Sequence, residues 1–180
     1  MILHALKNPF SVGAVAAASS HLVTGMVSQV DNLHEVVVEL GAGTGVITNA
    51  LFENKNRKVV SIEIDKQLAE IARENLPGNI DIIVGNAIKL PSFFEENQVD
   101  CIVCSLPLTL FSEDDLNKLF SGVRSVLKEG GVFVFYLYRV GLWSHRYRKV
   151  THKVGDYFSR VNQHKTIWRN VPPARVIVCS

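Results

Sequence analysis

Apolar positions along the chain collect into five short runs, and helical patterns separate these runs. Runs this apolar are typical of parallel strands that are buried on both faces of a sheet. The stretch 112–128 reads as a helix because Ser112 is a suitable N-cap, acids fill the first turn and two glycines follow. The alternation of strands with helices predicts a doubly wound α/β domain. The five predicted strands are 36–40, 59–64, 80–84, 99–105 and 131–138.

The C-terminal part of the chain breaks this alternation. A basic helical stretch at about 143–158 precedes two strand-like segments, 165–168 and 174–179. The connection between these two segments is too short for a parallel crossover, so it permits only an antiparallel pair. We therefore predict a Rossmann-like fold, in which a mostly parallel, seven-stranded sheet has an antiparallel strand at its C-terminal end.

Length and composition fit one globular domain. The chain has 180 residues, of which 47% are hydrophobic, and this excludes a disordered composition. The longest apolar stretches, such as 131–138, are far shorter than the roughly 20 residues that cross a bilayer. The first residues do not resemble a secretory signal. We expect a cytoplasmic protein with one domain over 1–180 and a ligand-binding core at 36–138.

Charge is distributed unevenly. Residues 1–138 contain 10 basic and 16 acidic residues, whereas residues 139–180 contain 9 basic residues and 1 acidic residue. The net charges are −6 and +8, so the basic C-terminal segment predicts an anionic partner, either phospholipid headgroups or nucleic acid. A solvated basic helix is the alternative. The segment 1–20 opens with apolar residues around Lys7 and is interpreted as a short interfacial helix or as a lid over a ligand.

Cys101 and Cys104 form a CxxC pair that could indicate zinc or redox chemistry. Both lie in one predicted strand, where residues three apart point to opposite faces. This geometry is wrong for a shared metal ion, so we expect buried thiols and no metal site.

The first strand is followed by the glycine-rich stretch 39–45, ELGAGTG. Glycines let a backbone turn tightly and lie against a ligand without interference from Cβ atoms. Glu63 ends the second strand 22 positions after Gly41, and a carboxylate there can accept hydrogen bonds from both ribose hydroxyls. These features suit NAD or S-adenosylmethionine. The predicted loop contacts are Gly41, Ala42, Gly43, Thr44 and Gly45.

Three features favour S-adenosylmethionine. The glycines are spaced G-x-G-x-G, the acidic Glu39 would repel a pyrophosphate but attract an ammonium group, and the C-terminal antiparallel strand is unusual for a dinucleotide domain. Residues 36–138 resemble class I S-adenosylmethionine-dependent methyltransferases. The resemblance implies that Glu39 and the loop hold the methionine part, that Glu63 with Ile64 holds the ribose, and that Asn86 with Ala87 meets the adenine. The family often has Asp where Asn86 stands.

The fourth strand ends in Ser105-Leu106-Pro107-Leu108. In the methyltransferase family, this position lies beside the transferred methyl group. Enzymes that methylate planar amines often carry Asn or Asp and an aromatic ring here, and this chain has neither. Leu108 is predicted to form an apolar wall, with Leu106 and Pro107 beside it and Ser105 at the cofactor and the reacting atoms. An aliphatic amine or hydroxyl acceptor therefore fits better than a nucleobase.

Two further motifs stand near the ends of the chain, and they comprise Asn8, Pro9, Val12, Gly13, Ala14, Val15, Ser19 and Ser20, and Trp168, Arg169, Asn170, Pro172, Pro173 and Ala174. In these motifs the chain resembles bacterial phospholipid N-methyltransferases, which methylate phosphatidylethanolamine. The resemblance implies a lipid amine as the acceptor and places Trp168 and Arg169 at the substrate. Ala18 departs from this pattern, because the family often has proline there.

Candidates for orienting the amine or relaying its proton follow from their place at or beyond the fifth strand's end. They are Tyr136, Tyr138 and His145. The first residues and the basic stretch 145–165 predict peripheral attachment to an anionic membrane surface, on the inner face. Three alternatives stay open: a methyltransferase for a small molecule or natural product, an RNA adenine dimethyltransferase, and a cofactor-binding or membrane-attached protein without turnover. The missing aromatic ring argues against nucleic acid as the substrate.

Overall fold

A computed structural model of the chain describes residues 18–78, 80–139 and 144–180. Most of the predicted interfacial segment or lid therefore lies outside the described residues. The helices are α1 (Ser20–Val27), α2 (Val46–Phe52), α3 (Lys66–Asn75), α4 (Glu113–Val126) and α5 (His145–Gly155), with 3₁₀ helices at Ala87–Ser92 and Leu108–Leu110. The strands are β1 (Val36–Leu40), β2 (Lys58–Glu63), β3 (Asp81–Val84), β4 (Val99–Cys104), β5 (Leu127–Tyr138), β6 (Val161–Ile167) and β7 (Ala174–Cys179).

The seven strands form one sheet in the order β3-β2-β1-β4-β5-β7-β6. Strands β1 to β5 pair in parallel, whereas β7 pairs antiparallel with both β5 and β6. The predicted fold class is therefore confirmed, with the antiparallel strand lying between β5 and β6. The carboxyl ends of β1 to β6 share one edge of the sheet, which we call the carboxyl edge. Ligands of doubly wound sheets bind at this edge.

Two apolar clusters cover the two faces of the sheet. Helices α1, α2 and α3 pack on one side, which we call the α2 face, and α4 and α5 pack on the other, the α4 face. Cys101 belongs to the cluster on the α2 face and Cys104 to that on the α4 face, so the prediction that they point apart is confirmed. Both thiols are buried, and burial raises the pKa of each to about 12.

A local sequence signal accounts for the start of α4. The Ser112 hydroxyl accepts a hydrogen bond from the Asp115 N–H at 3.1 Å, which confirms the predicted N-cap of α4. Strand β6 begins four residues before the predicted segment 165–168. The prediction missed these first residues because most of them are polar and exposed at the edge of the sheet. An edge strand of this kind lacks the apolar pattern by which strands are recognised. Among the described residues, no helix is long and apolar enough to cross a membrane.

Candidate active site

Polar side chains gather at the carboxyl edge on the α2 face. Side chains alternate between the faces of a strand, so Glu39, Ser105 and Tyr136 each face the same way as the residue two positions earlier. Those earlier residues, Val37, Val103 and Val134, all belong to the α2-face cluster. The same reasoning applies to Glu63, which follows Val59 by four positions on β2. The predicted residues that the fold brings to this edge and face are Glu39, Glu63, Ser105, Tyr136 and Tyr138.

The glycine loop uses its glycines in different ways. Gly41, with φ of 92°, leaves no room for a side chain, because a Cβ atom would lie 2.8 Å from both Ser105 Oγ and Leu106 Cδ2. Gly43, with φ of 54°, faces open space, since a Cβ atom there would meet nothing within 4 Å. The first glycine therefore lets the β4 loop pack closely, and the second leaves an open surface along the backbone.

Glu63 lies directly beside this open surface. One carboxylate oxygen accepts the Gly43 N–H at 2.8 Å and the other accepts the Asp65 N–H at 3.0 Å. The side chain is nearly buried, so these two bonds fix its orientation. A carboxylate oxygen can accept more than one hydrogen bond, so both oxygens remain able to receive hydroxyl groups. This geometry fits the ribose of S-adenosylmethionine.

Glu39 is fully buried and is held by two hydroxyl groups. Thr48 Oγ1 donates a short hydrogen bond to its Oε2 atom, and Ser61 Oγ donates another at 3.1 Å. Burial raises the pKa of Glu39 to about 8, although both hydrogen bonds act in the opposite direction. Sequence reasoning missed Thr48 and Ser61. Ser61 could have been found from the sequence, because it is a polar residue inside an otherwise apolar stretch of β2.

The loop after β3 places Asn86 at the same edge. Its Oδ1 atom accepts the Ile88 N–H at 3.0 Å and so caps the 3₁₀ helix that begins at Ala87. Asn86 and Ile64 are half-buried, whereas Ala87 is buried. In the glycine loop, Ala42 is buried and Thr44 is exposed. Asn86 therefore has a structural role as a cap, and the second lone pair of its amide oxygen can accept a further bond.

Ser105 links the loop after β4 to the loop after β1. Its hydroxyl donates to the Gly41 carbonyl at 2.5 Å and lies 3.2 Å from the Leu40 carbonyl oxygen. Leu106 and Pro107 are half-buried, and Leu106 packs against Gly41. Leu108 is 1% exposed and belongs to the cluster on the α4 face. The prediction that Leu108 forms a pocket wall is therefore wrong, because its side chain fills the core. The half-buried Leu106 packs against the same cluster and also lies beside the glycine loop.

The two tyrosines of β5 contact each other, with ring centroids 5.3 Å apart. Burial, together with the neighbouring Tyr138, raises the pKa of Tyr136 well above its ordinary value of 10.0. Tyr136 therefore keeps its proton at physiological pH. His145 is not brought to this group. It is exposed on α5, which packs on the opposite face, and lies in a groove with Glu113, Arg148, Lys149, His152 and Lys153.

The N-terminal end of α1 and the turn between β6 and β7 meet at the carboxyl edge. Ile167 pairs with Ala174, which in turn pairs with Tyr138 at the end of β5, so the turn lies at this edge. Asn170 is buried, and its side chain accepts the Ser19 N–H at 3.1 Å and donates to the Pro172 carbonyl at 2.7 Å. Parts of the two motifs from opposite ends of the sequence are therefore in direct contact.

Arginines at this edge lack acidic partners. Arg169 Nη1 lies 3.3 Å from His21 Nε2, and the guanidinium of Arg139 lies 5.0 Å from the centroid of the Trp168 ring. Arg139 also donates to Thr166 Oγ1, which Arg175 approaches as well. In residues 18–78, 80–139 and 144–180, the ion pairs involve only lysines. Among the described residues, these arginines therefore have no carboxylate within ion-pair distance.

Comparisons with known proteins agree with this arrangement. Residues 37–131, which run from β1 into β5, match the family described as a methyltransferase domain. An ornithine lipid N-methyltransferase from Singulisphaera acidiphila is 30% identical over 151 residues, which is 80% of this chain and 74% of that protein. The "Probable ribosomal RNA small subunit methyltransferase A" of Methanosarcina barkeri is 40% identical over 81 residues, which is 44% of this chain and 26% of that protein.

The fold itself has close counterparts among solved structures. A TehB-like SAM-dependent methyltransferase from Corynebacterium glutamicum superposes with a TM-score of 0.67, covering 99% of this chain and 96% of that one. The two sequences are 13% identical, so this likeness concerns the fold alone.

Proposed function

The chain belongs to the S-adenosylmethionine-dependent methyltransferases, and we propose that it methylates the amine of phosphatidylethanolamine and of its partly methylated forms. The observation that carries this proposal is a contact at the carboxyl edge between the last residues of the first motif and the turn between β6 and β7, where the Ser19 N–H donates to Asn170. These two segments carry the likeness to phospholipid N-methyltransferases. The similarity to a lipid N-methyltransferase over most of the chain supports the same class of acceptor.

The cofactor is S-adenosylmethionine, and we assign its parts to the residues at the edge. Glu63 binds the ribose hydroxyls beside the open surface over Gly43, and Asn86 meets the adenine amine. Glu39 attracts the ammonium group of the methionine part from beneath the glycine loop. Gly41 acts through packing, because it lets Ser105 and Leu106 come close to the loop.

The reaction needs an amine nitrogen aligned with the methyl group. S-adenosylmethionine, when bound, would supply a methyl group on a sulfonium sulfur: the lone pair of a neutral amine would bond to that methyl carbon in line as its bond to sulfur breaks, S-adenosylhomocysteine would leave, and the proton of the methylated amine would pass to solvent. The chain contributes mainly proximity and orientation. Tyr138 lies half-buried at the end of β5, where its phenolic oxygen can accept a hydrogen bond from the amine. Tyr136 supports it as a neutral hydroxyl, and Leu106 bounds the site on the side of β4.

An anionic group on the acceptor would complement the arginines of this edge. Arg169 is exposed, carries a forked guanidinium and has a histidine as its neighbour rather than a carboxylate. We assign it to the lipid phosphate, with Trp168 beside it. Arg169→Ala is expected to reduce lipid methylation about tenfold or more, because a charge-assisted bond is lost. Arg169→Lys should restore part of the rate, because lysine keeps the charge without the fork.

The assay is transfer of labelled methyl groups from S-adenosylmethionine to vesicles of phosphatidylethanolamine, with an ornithine lipid, soluble amines and RNA in parallel. We expect phosphatidylethanolamine to carry the label, and mass spectrometry to show one to three added methyl groups. Label on the ornithine lipid alone would show that the acceptor is a lipid amine other than phosphatidylethanolamine. Label on RNA or on a soluble amine, with no lipid product, would contradict the proposal and leave the methyltransferase family unchanged.

Asn86→Asp is expected to strengthen cofactor binding about two- to tenfold. The change adds a negative charge to the hydrogen bond with the adenine amine, and bonds to ionised groups are the stronger ones. Aspartate is also a good N-cap, so the bond to the Ile88 N–H is kept. Calorimetric titration of both proteins with S-adenosylmethionine measures the effect. Unchanged affinity would place the adenine away from residue 86.

A further inference from the structure

Exposed apolar side chains are concentrated at the carboxyl edge. Seven large apolar residues are well exposed in the described part of the chain, and five of them lie at the carboxyl end of a strand or in the loop or first helical turn that follows one. Leu33 and Ile71 are the other two, and they lie before β1 and on the outer helix α3. The five at the carboxyl edge are Val46, Val84, Leu110, Trp168 and Val171.

The turn between β6 and β7 presents the two most exposed members of this group. Trp168 is 66% exposed and Val171 is 81% exposed. Between them, Asn170 is buried and holds the turn to Ser19 and to the Pro172 carbonyl. The turn is therefore fixed from below by hydrogen bonds while its two apolar side chains point into solvent. We call residues 168–171 the apolar turn.

Positive charge surrounds the apolar turn. The Arg139 guanidinium lies over the Trp168 ring, and Arg169 is exposed within the turn itself. Neither arginine has an acidic partner in residues 18–78, 80–139 and 144–180. A protein partner with a purely apolar surface would leave these charges unmatched, whereas an anionic bilayer matches both features. Tryptophan favours the boundary between headgroups and acyl chains, and each basic residue near an anionic surface adds to the attraction.

We propose that the apolar turn inserts into the interfacial region of an anionic phospholipid bilayer, with Trp168 and Val171 among the acyl chains and Arg139 and Arg169 at the headgroups. The turn lies at the edge that also carries Glu63 and Tyr138. Insertion would therefore bring the site to the membrane surface, where a lipid amine can reach it without leaving the bilayer. The inference rests on the proposed lipid acceptor and assigns the surface that meets it.

The chain offers a direct spectroscopic test, because it contains two tryptophans, Trp143 and Trp168. Trp143→Phe leaves Trp168 as the single emitter. Vesicles of phosphatidylethanolamine with phosphatidylglycerol should shift its emission to shorter wavelength, and brominated acyl chains should quench it. Unchanged emission on vesicles that demonstrably bind the protein would overturn the inference.

A matched pair of substitutions tests the same surface without relying on fluorescence. Val171→Asp places a charge in the apolar turn, whereas Leu33→Asp changes a residue that is 84% exposed but lies before β1, at the opposite edge. Val171→Asp should weaken vesicle binding about tenfold or more in a flotation assay, because the buried apolar area is lost and a like charge meets the anionic surface. Leu33→Asp should leave vesicle binding unchanged. Equal effects of the two substitutions would overturn the inference, and calorimetry with S-adenosylmethionine confirms that both variants are folded.

The outcomes separate this inference from the proposed function. If the protein methylated phosphatidylethanolamine while Trp168 stayed in water, the proposed membrane contact of the apolar turn would be wrong. The proposed acceptor would then still be supported. Insertion of Trp168 without any lipid product would support the apolar turn as a membrane contact and contradict the proposed acceptor.

Discussion

Glu63→Ala is expected to weaken S-adenosylmethionine binding by about 1–3 kcal/mol, which corresponds to about five- to 150-fold. The carboxylate receives the Gly43 N–H on one oxygen and the Asp65 N–H on the other, so it is already oriented before a ligand arrives. Its removal takes away the partner of the ribose hydroxyls. It also releases the backbone of the glycine loop at the residue that faces open space. Calorimetric titration of the purified variant measures the loss.

Two further variants separate these contributions. Glu63→Gln keeps one acceptor oxygen and the shape of the side chain, so its loss of affinity should be smaller than that of alanine. Glu74→Ala removes an exposed carboxylate from α3 and should leave the affinity unchanged. If Glu63→Ala bound the cofactor as tightly as the wild type, the ribose would lie elsewhere, and the arrangement proposed for the glycine loop would have to be abandoned.

The parts of the fold that could be predicted are those whose signals are local. Buried strands have continuous apolar runs, and α4 has a serine cap with acids in its first turn, so each can be recognised from neighbouring residues. Gly41 and Glu63 could be found because the spacing between strand ends is short in sequence. Strand β6 could be found only in part, because an exposed edge strand needs no apolar face.

The residues that could not be predicted depend on tertiary packing. Leu108 follows a strand end, like the site residues, but the 3₁₀ helix that contains it turns the side chain into the core of the α4 face. His145 follows β5 in sequence, yet α5 carries it to the opposite face. Thr48 lies on a helix and reaches Glu39 across nine positions. The Ser19–Asn170 contact joins residues 151 positions apart, and no local pattern indicates which distant segments will meet.

The stability of the cofactor-free protein is expected to fall as the pH rises from about 5 to about 8.5, and Glu39→Gln should remove most of this fall. Burial raises the folded-state pKa of Glu39 from 4.5 to about 8. Between these two pKa values the folded carboxyl therefore keeps a proton that the unfolded chain has released. The stabilisation from this proton is complete below the pKa of the unfolded state and is lost as the pH rises through the pKa of the folded state. The resulting loss in the free energy of unfolding is about 3–5 kcal/mol. Glutamine keeps acceptors for Thr48 and Ser61 but does not titrate.

Urea unfolding of both proteins across this range measures the effect, and the difference between them isolates Glu39 from other titrating groups such as His34. The same carboxyl should link cofactor binding to pH. An ammonium group near Glu39 favours its ionised form, so wild-type affinity for S-adenosylmethionine should rise as the pH approaches 8, because less work is then needed to remove the proton. Glu39→Gln should bind more weakly and with little dependence on pH. A wild-type protein whose stability and affinity are both flat between pH 5 and 8.5 would mean that Glu39 is ionised throughout, with a cation or water beside it.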